Sequence, residues 1–319
     1  MYTSSGSLGT TSRTVVPPGR AAAKALRHDT WGRLLIRTVG FTSILLTLAI
    51  GAFLLYRGTG SFWLYGHSPL DFIISSQWNP ADTMEGGGHI GAAMFIAGSL
   101  ITCLLALIIA TPCSISLAIF MTEIAPTWGN RIWRPVIEIF VGIPSIVYGW
   151  LGLTVLVPFI REYTPSLTGF SVLAAALVLA LMMFPTVTAV TINALDSVPK
   201  NYRQAAYGLG ATRWEVIRQI ILPVAKRGIL AALILGFARA FGEALAVAMV
   251  IGKMKAFPTS LFDATVNLTG AIAADMGNTM EGSEFNMALW SMALLLFVIS
   301  VLFIFTLRYL SNAGGDTHD

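Results

Sequence analysis

Apolar residues in this chain come in long runs separated by short charged stretches, and a helix crosses a bilayer with a run of about twenty. Six such runs occur, near Leu35–Tyr56, Gly91–Thr122, Pro135–Val157, Gly169–Asn193, Gly228–Ile251 and Met287–Leu307. The second is too long for one perpendicular helix: 32 residues at a rise of 1.5 Å give about 48 Å, against a hydrocarbon core of about 30 Å. Pro112 lies inside this run and lacks an amide hydrogen, which predicts a kink or break there, with part of the run leaving the bilayer.

The charged interval 195–223 has a pattern of its own. Asp196, Ser197, Val198 and Pro199 read as a helix start, a capping acceptor just ahead of a proline. Gly208 and Gly210 break that helix, and at Gly210 a positive φ costs least. A second, amphipathic helix is predicted from Thr212, with Trp214, Ile217, Ile220 and Ile221 on one stripe and Arg213, Glu215 and Arg218 opposite. Pro223 is predicted to turn the chain toward the next span.

Composition agrees with the pattern. The chain is 55% hydrophobic and 11% charged with a mean hydropathy of +0.73, whereas globular domains carry about a quarter charged residues. The fold class expected is an all-α integral membrane protein with six transmembrane helices. With the N-terminus in the cytoplasm, 15 Lys and Arg residues fall inside and 4 outside (Arg57, Arg161, Lys253, Lys255), with Arg239 left in a span. That asymmetry orients the chain with both ends cytoplasmic. The net charge of +4 is therefore a topology signal, drawn to anionic lipid, and does not point to nucleic acid. Residues 1–33 are rich in Ser, Gly, Thr, Pro and Arg and read as a disordered basic tail, 34–310 as the membrane domain, and 311–319 as a second tail. No compact apolar stretch precedes the first span, so that span is expected to serve as an uncleaved insertion signal.

Catalytic and metal chemistry find no candidates. No G-x-x-x-x-G-K-[ST] loop, nucleophile elbow or H-E-x-x-H occurs. The four His residues have no metal-ligand spacing, and Cys103 and Cys113, about 15 Å apart on one helix, read as packing residues. The expectation is a protein with no catalytic residue, metal or cofactor, any ATP being bound by a partner. Inside the spans, Arg239 and Glu243 stand four residues apart on one helical face, with Arg239 about 16 Å past Gly228 and near the midplane. A charge there costs a few kcal/mol, and such residues mark pathways or pair with each other. Arg239 offers a planar donor fork to a passing oxyanion, with Glu243 holding it; a permanent ion pair is the alternative. Glu138 stands near the start of its span and can reach Arg131 or Arg134. Pro144, Ser145 and Tyr148 interrupt the third run and suit a pathway wall, since broken backbone at membrane depth lines cavities or packs against protein.

The segment Gln204–Pro223 resembles the EAA loop by which membrane subunits of ABC importers grip their ATPase. Ala205, Ala206, Gly210, Ile220, Leu222 and Pro223 fall in the family register, with Gln204 where the family usually has Glu. An interfacial helix anchored by Trp214 would show a similar amphipathic pattern without that register. Together with MTEIAP (Met121–Pro126), EIFVGIPSIVYGWLGL (Glu138–Leu153) and RAFGEALAVAMVIG (Arg239–Gly252), the loop makes the chain similar to the PstC-type permeases of bacterial phosphate importers. The resemblance runs from about Leu34 to the last span. It implies a MetI-like core with a cytoplasmic coupling helix, in the bacterial inner membrane. It also implies pairing with a PstA-type permease, two ATPase subunits, an extracytoplasmic phosphate-binding protein, and alternating access. Arg239 and Glu243 match the Arg and Glu that the family uses for phosphate movement. The sister permease, a molybdate or sulfate permease, and an ion-coupled secondary transporter are the rival readings.

Overall fold

The computed structural model describes residues 20–313 and divides into two compact units, Met1–Phe53 and Leu54–Asp319. Helix α1 (Arg20–Gly58) opens it. It takes in residues 20–33, predicted as tail, because Ala21, Ala22, Ala23, Lys24, Ala25 and Leu26 are strong helix formers. Residues 1–19 and 314–319 of the predicted tails lie outside the described residues. Within the first unit the side chains from Gly32 to Phe53 are exposed almost throughout, as a lipid-facing apolar helix requires.

In the second unit, a short hairpin pairs β1 (Trp78–Asn79) with β2 (His89–Ile90). Helices α2 (Ala93–Ile119), α3 (Arg134–Gly142), α4 (Ser145–Leu151), α5 (Val172–Asp196) and α6 (Lys200–Gly208) follow. Then come α7 (Leu222–Phe241), α8 (Leu245–Ala248), α9 (Leu268–Asp275) and α10 (Glu284–Ala313). Among the described residues six helices are long and apolar enough to cross a membrane: Gly32–Leu64, Ala93–Ile124, Ser145–Tyr163, Val172–Asp196, Arg213–Phe241 and Glu284–Thr306. The architecture is all-α, as expected.

Three of the differences from the sequence expectation lie at prolines. Pro112 does not break α2, which runs through it along the face of α5, where the Ser114 hydroxyl donates to the Phe184 carbonyl at 3.2 Å. Pro144 does break the third run, because a residue before proline is held out of the helical region; Ile143 has ψ 128°. The span therefore starts at Ser145 rather than Pro135. Pro223 makes no turn: a π-helical turn at Ile217–Ile221 precedes it and absorbs its missing donor, so one helix runs from Arg213 to Phe241.

Helix α5 is the core, with α2, α3, α4, α7 and α8 all packed against it. Its alanines 174, 175, 176 and 180 are buried, together with Leu179, Met182, Met183 and Val187. Small residues let the backbones close up, as they do where the surrounding lipid offers no hydrophobic drive. A Cβ on Gly236 of α7 would stand 2.5 Å from Val187, and one on Gly149 of α4 would stand 2.7 Å from the Ala246 backbone of α8. Cys103 is buried in this core, while Cys113 is exposed and is not the packing residue expected.

The loops ahead of α2 and α10 are tied together by one carboxylate. Glu284, just ahead of the last apolar run, is fully buried at the start of α10. It accepts from Ala81 N at 2.7 Å and Gly88 N at 2.9 Å, and its other oxygen meets His67 Nε2 at 2.7 Å. Asp82 reinforces the tie by accepting from the Ser283 hydroxyl at 2.7 Å. The Tyr65 hydroxyl donates to the Gly282 carbonyl, and its pKa is raised by burial and by the Glu284 charge. Each hydrogen bond to a buried carboxylate contributes about 1.5–3 kcal/mol, so Glu284→Ala is expected to release residues 81–88 as a unit. Limited proteolysis should then cut there in the variant and not in the parent, while Glu284→Gln, which keeps an acceptor, should resist.

Candidate functional site

The loop between α5 and α7 folds onto the ends of its neighbours and leaves one face open. Asp196 closes α5 instead of capping the next helix, and Pro199 precedes α6 without a side-chain cap, contrary to the predicted start. At the far end Gly210 adopts φ +84°, and Ala211 N reaches back to the Ala206 carbonyl at 3.1 Å, so the chain reverses at the predicted glycine. Thr212 and Glu215 form a capping box, with Thr212 N donating to Glu215 at 2.7 Å. Ala206, Val216, Ile217 and Ile221 are buried against Leu195 of α5 and Ile137 of α3. Ile220 and Leu222 are half-buried, and Pro223 is exposed. Trp214 is exposed, and Val216 takes the inward place assigned to it, because the π turn shifts the helical phase. Gln204, Ala205, Tyr202, Tyr207 and Leu209 point outward, so the two alanines of the motif part company, one packing and one presented.

A pair that sequence reasoning missed anchors this loop. Arg203 of α6 lies 2.9 Å from Glu123, in the π turn that prolongs α2. The contact is an ion pair, too poorly angled for a hydrogen bond, while another Arg203 nitrogen-borne hydrogen goes to the Leu195 carbonyl at 2.8 Å. Both side chains are largely buried, at 19% and 9% exposure. The signal available was an acid at the end of an apolar run, opposite a basic loop. Losing one member of a buried pair costs about 3–5 kcal/mol. Arg203→Ala is expected to lower the melting midpoint of the detergent-solubilised protein measurably, and Glu123→Gln to do so less, since its amide oxygen still offers Arg203 an acceptor beside the Leu195 carbonyl.

The intramembrane charges do not pair. Helix α7 ends at Phe241 with Gly242 as its C-cap, so Glu243 is off the helix and the four-residue spacing no longer puts the two on one face. Among the described residues no ion pair joins them. Arg239 sits in the last turn of α7, where the negative end of the helix dipole favours a cation. The helix starts at Arg213 rather than Gly228, so Arg239 lies about 39 Å along it at 1.5 Å per residue. Arg239 is half-buried and donates from Nη1 to the Thr186 hydroxyl of α5 at 2.8 Å. Glu243 instead accepts from Ala246 N at 3.1 Å, and its backbone carbonyl takes the Thr269 hydroxyl at 2.8 Å. It holds the turn between α7 and α9. A Cβ on Gly242 would meet only the carbonyls of Ala238 and Arg239 from its own helix, at 3.6 and 3.9 Å. Glu138 is exposed and meets neither Arg131 nor Arg134 in an ion pair among the described residues.

Pro144 and Ser145 open α4, and Tyr148 is buried one turn on, its hydroxyl bridging the Pro144 break to the Phe140 carbonyl at 2.7 Å. The fold thus brings together Arg239 and Thr186, from two helices.

Residues 114–313 match the family described as the binding-protein-dependent transport system inner membrane component. The chain belongs to that family. It is a multi-pass membrane permease and not an enzyme. The permease is 48% identical over 281 residues to a probable ABC transporter permease, YqgH of Bacillus subtilis, covering 88% of this chain and 90% of that one. It is 36% identical over 313 residues to the phosphate transport system permease protein PstC of Pasteurella multocida, covering 91% and 95%. In structure the permease is similar to a chain of a bacterial alginate ABC importer, with TM-score 0.61, 14% identity, and 92% and 100% of the chains covered. A chain of the inward-facing MetNI methionine transporter gives 0.51 at 21% identity, over 68% and 91%. These likenesses establish the MetI-like fold of the permease.

Proposed function

We propose that the permease is the PstC-type membrane subunit of an ATP-driven phosphate importer. What carries this reading is the likeness to PstC proteins over about nine-tenths of both chains. The partners are a PstA-type permease completing the pathway, two ATPase subunits, and an extracytoplasmic phosphate-binding protein. The basic bias of the loops puts both termini in the cytoplasm.

The outward face of α6, with Gln204, Ala205, Tyr207 and Leu209, is the ATPase dock, and Gly210, Ile220, Leu222 and Pro223 shape the elbow behind it. Its inner face is held by Ala206, in an apolar cluster shared with α3 and α5, and by the Arg203 hydrogen bond to the Leu195 carbonyl of α5, so a push on α6 moves the spans with it. The unbroken helix from Arg213 to Phe241 joins the dock at one end to Arg239 at the other. Closure of the ATPases on binding ATP shifts this rod, and hydrolysis lets it return.

Arg239 is the phosphate contact. Its one hydrogen-bond partner among the described residues is a neutral hydroxyl, so its charge is not cancelled locally. A planar fork suits a tetrahedral oxyanion, and a site with a single guanidinium binds loosely enough to release. Glu243 shapes the turn behind Arg239 and keeps the element in place, while Pro144, Ser145 and Tyr148 form the wall beside it.

A charge-assisted contact is worth about 1.5–3 kcal/mol, which corresponds to about ten- to a hundredfold. Arg239→Ala is expected to cut labelled-phosphate uptake at low phosphate by that factor with the complex still assembled, and Arg239→Lys to recover part of it. Failure of the variant to reach the membrane would instead mark Arg239 as a structural residue. Uptake by the chain without ATPase partners would sink the importer reading.

A further inference from the structure

We infer that Lys253 is a second anion-contacting residue, placed at the mouth of a cleft where the transported anion arrives before it reaches Arg239. This rests on the oxyanion-importer reading above.

Lys253 is the only non-glycine residue with positive φ, +55°, among the described residues. That conformation costs about 1–3 kcal/mol and persists only where the surroundings over-determine it. Both flanks are tied down here. On one side Gly252, at φ +102°, bridges to Thr265, and the Ile251 carbonyl accepts from Thr265 N at 3.1 Å. On the other, the Thr265 hydroxyl donates to the Ala256 carbonyl at 2.9 Å, and Ala256 N donates to the Met254 carbonyl at 2.8 Å. A glycine or asparagine would sit at this position with less strain, so the fold gains nothing from a lysine. The side chain is what the position uses.

That side chain lines a cleft of about 510 Å³ whose walls are otherwise apolar. Ile146 and Leu153 contribute from the span that carries Tyr148, and Leu245 and Met249 from the segment that follows Glu243. The cleft therefore lies between the span that carries Tyr148 and the segment that follows Glu243. Lys255, two residues on, is taken up by Asp275 at 3.1 Å. Lys253 is exposed and has no ion pair among the described residues. A lone cation in a low-dielectric cleft concentrates anions and speeds their entry. A flexible, strongly hydrated ammonium suits capture and release better than it suits tight binding.

The test is uptake by the complete complex, with its partner permease, ATPase subunits and binding protein, in cells lacking their own phosphate importer. Labelled phosphate, molybdate and sulfate are supplied separately to the parent and to Lys253→Gln, Lys253→Arg and Lys253→Gly. Electrostatic capture is worth about tenfold or more in on-rate, so Lys253→Gln should lower uptake at limiting anion by about that factor and leave the saturated rate nearly unchanged. Lys253→Arg should retain uptake. Lys253→Gly, which relieves the backbone strain, should lose it like Gln. Parental rates in Lys253→Gln, for whichever anion the parent moves, overturn the inference; so does a loss in Gly alone, which would mark a backbone role. A parent that moves molybdate or sulfate but not phosphate overturns the phosphate assignment and leaves the Lys253 comparison to be read on that anion. Movement of none of the three overturns both.

Discussion

The close packing of α5 against its neighbours is the constraint on which the rest of this permease depends. In lipid, apolar side chains gain little by leaving their surroundings, so helices associate through backbone proximity and fitted contacts. The run of alanines along α5 and the glycines that face it, such as Gly236 against Val187, supply that proximity. Because α2, α3, α4, α7 and α8 all meet α5, the loop at one end and the arginine at the other are positioned against the same element. Thr186, the partner of Arg239, and Leu195, the carbonyl that receives Arg203, both belong to α5.

Proline is used in this chain in opposite ways, and the difference lies in what stands beside it. Pro144 follows a residue forced into an extended conformation and splits a run into two helices, with Tyr148 bridging the gap by its hydroxyl. Pro112 and Pro223 sit in helices that continue, the first held along α5 and the second preceded by a π turn. The break yields short elements beside the candidate pathway, and the continuous helix yields a stiff link between the loop at 195–223 and Arg239. Both properties are needed in a transporter that must move as a body while keeping a shaped interior.

Buried charge follows a consistent rule. Glu284 satisfies its oxygens with two backbone amides and a histidine, and Glu123 meets Arg203. Half-buried Arg239 does otherwise, held among the described residues by one hydroxyl, while Lys253 is exposed and meets no acid among them. Charges that stabilise the fold are matched by opposite charge or by several amides, while charges left unmatched are available to something that passes.

The sequence by itself determined the class and the loop. Six apolar runs, the basic bias, the reversal at Gly210 and the register from Ala205 to Pro223 are local properties, because hydropathy, positive φ and helical period are decided within a few residues. Tertiary structure alone decided what Arg239 and Glu243 do. Their spacing suggests a pair only if the helix continues, and the helix stops at Gly242, leaving Glu243 to accept from Ala246 N in the turn that follows. It also decided that Glu284 is an anchor and not a loop acid, that Glu123 reaches Arg203, and that Val216 and not Trp214 faces inward. Each of these depends on a partner many residues away or on a phase shift from a π turn, and neither leaves a trace in a window of sequence.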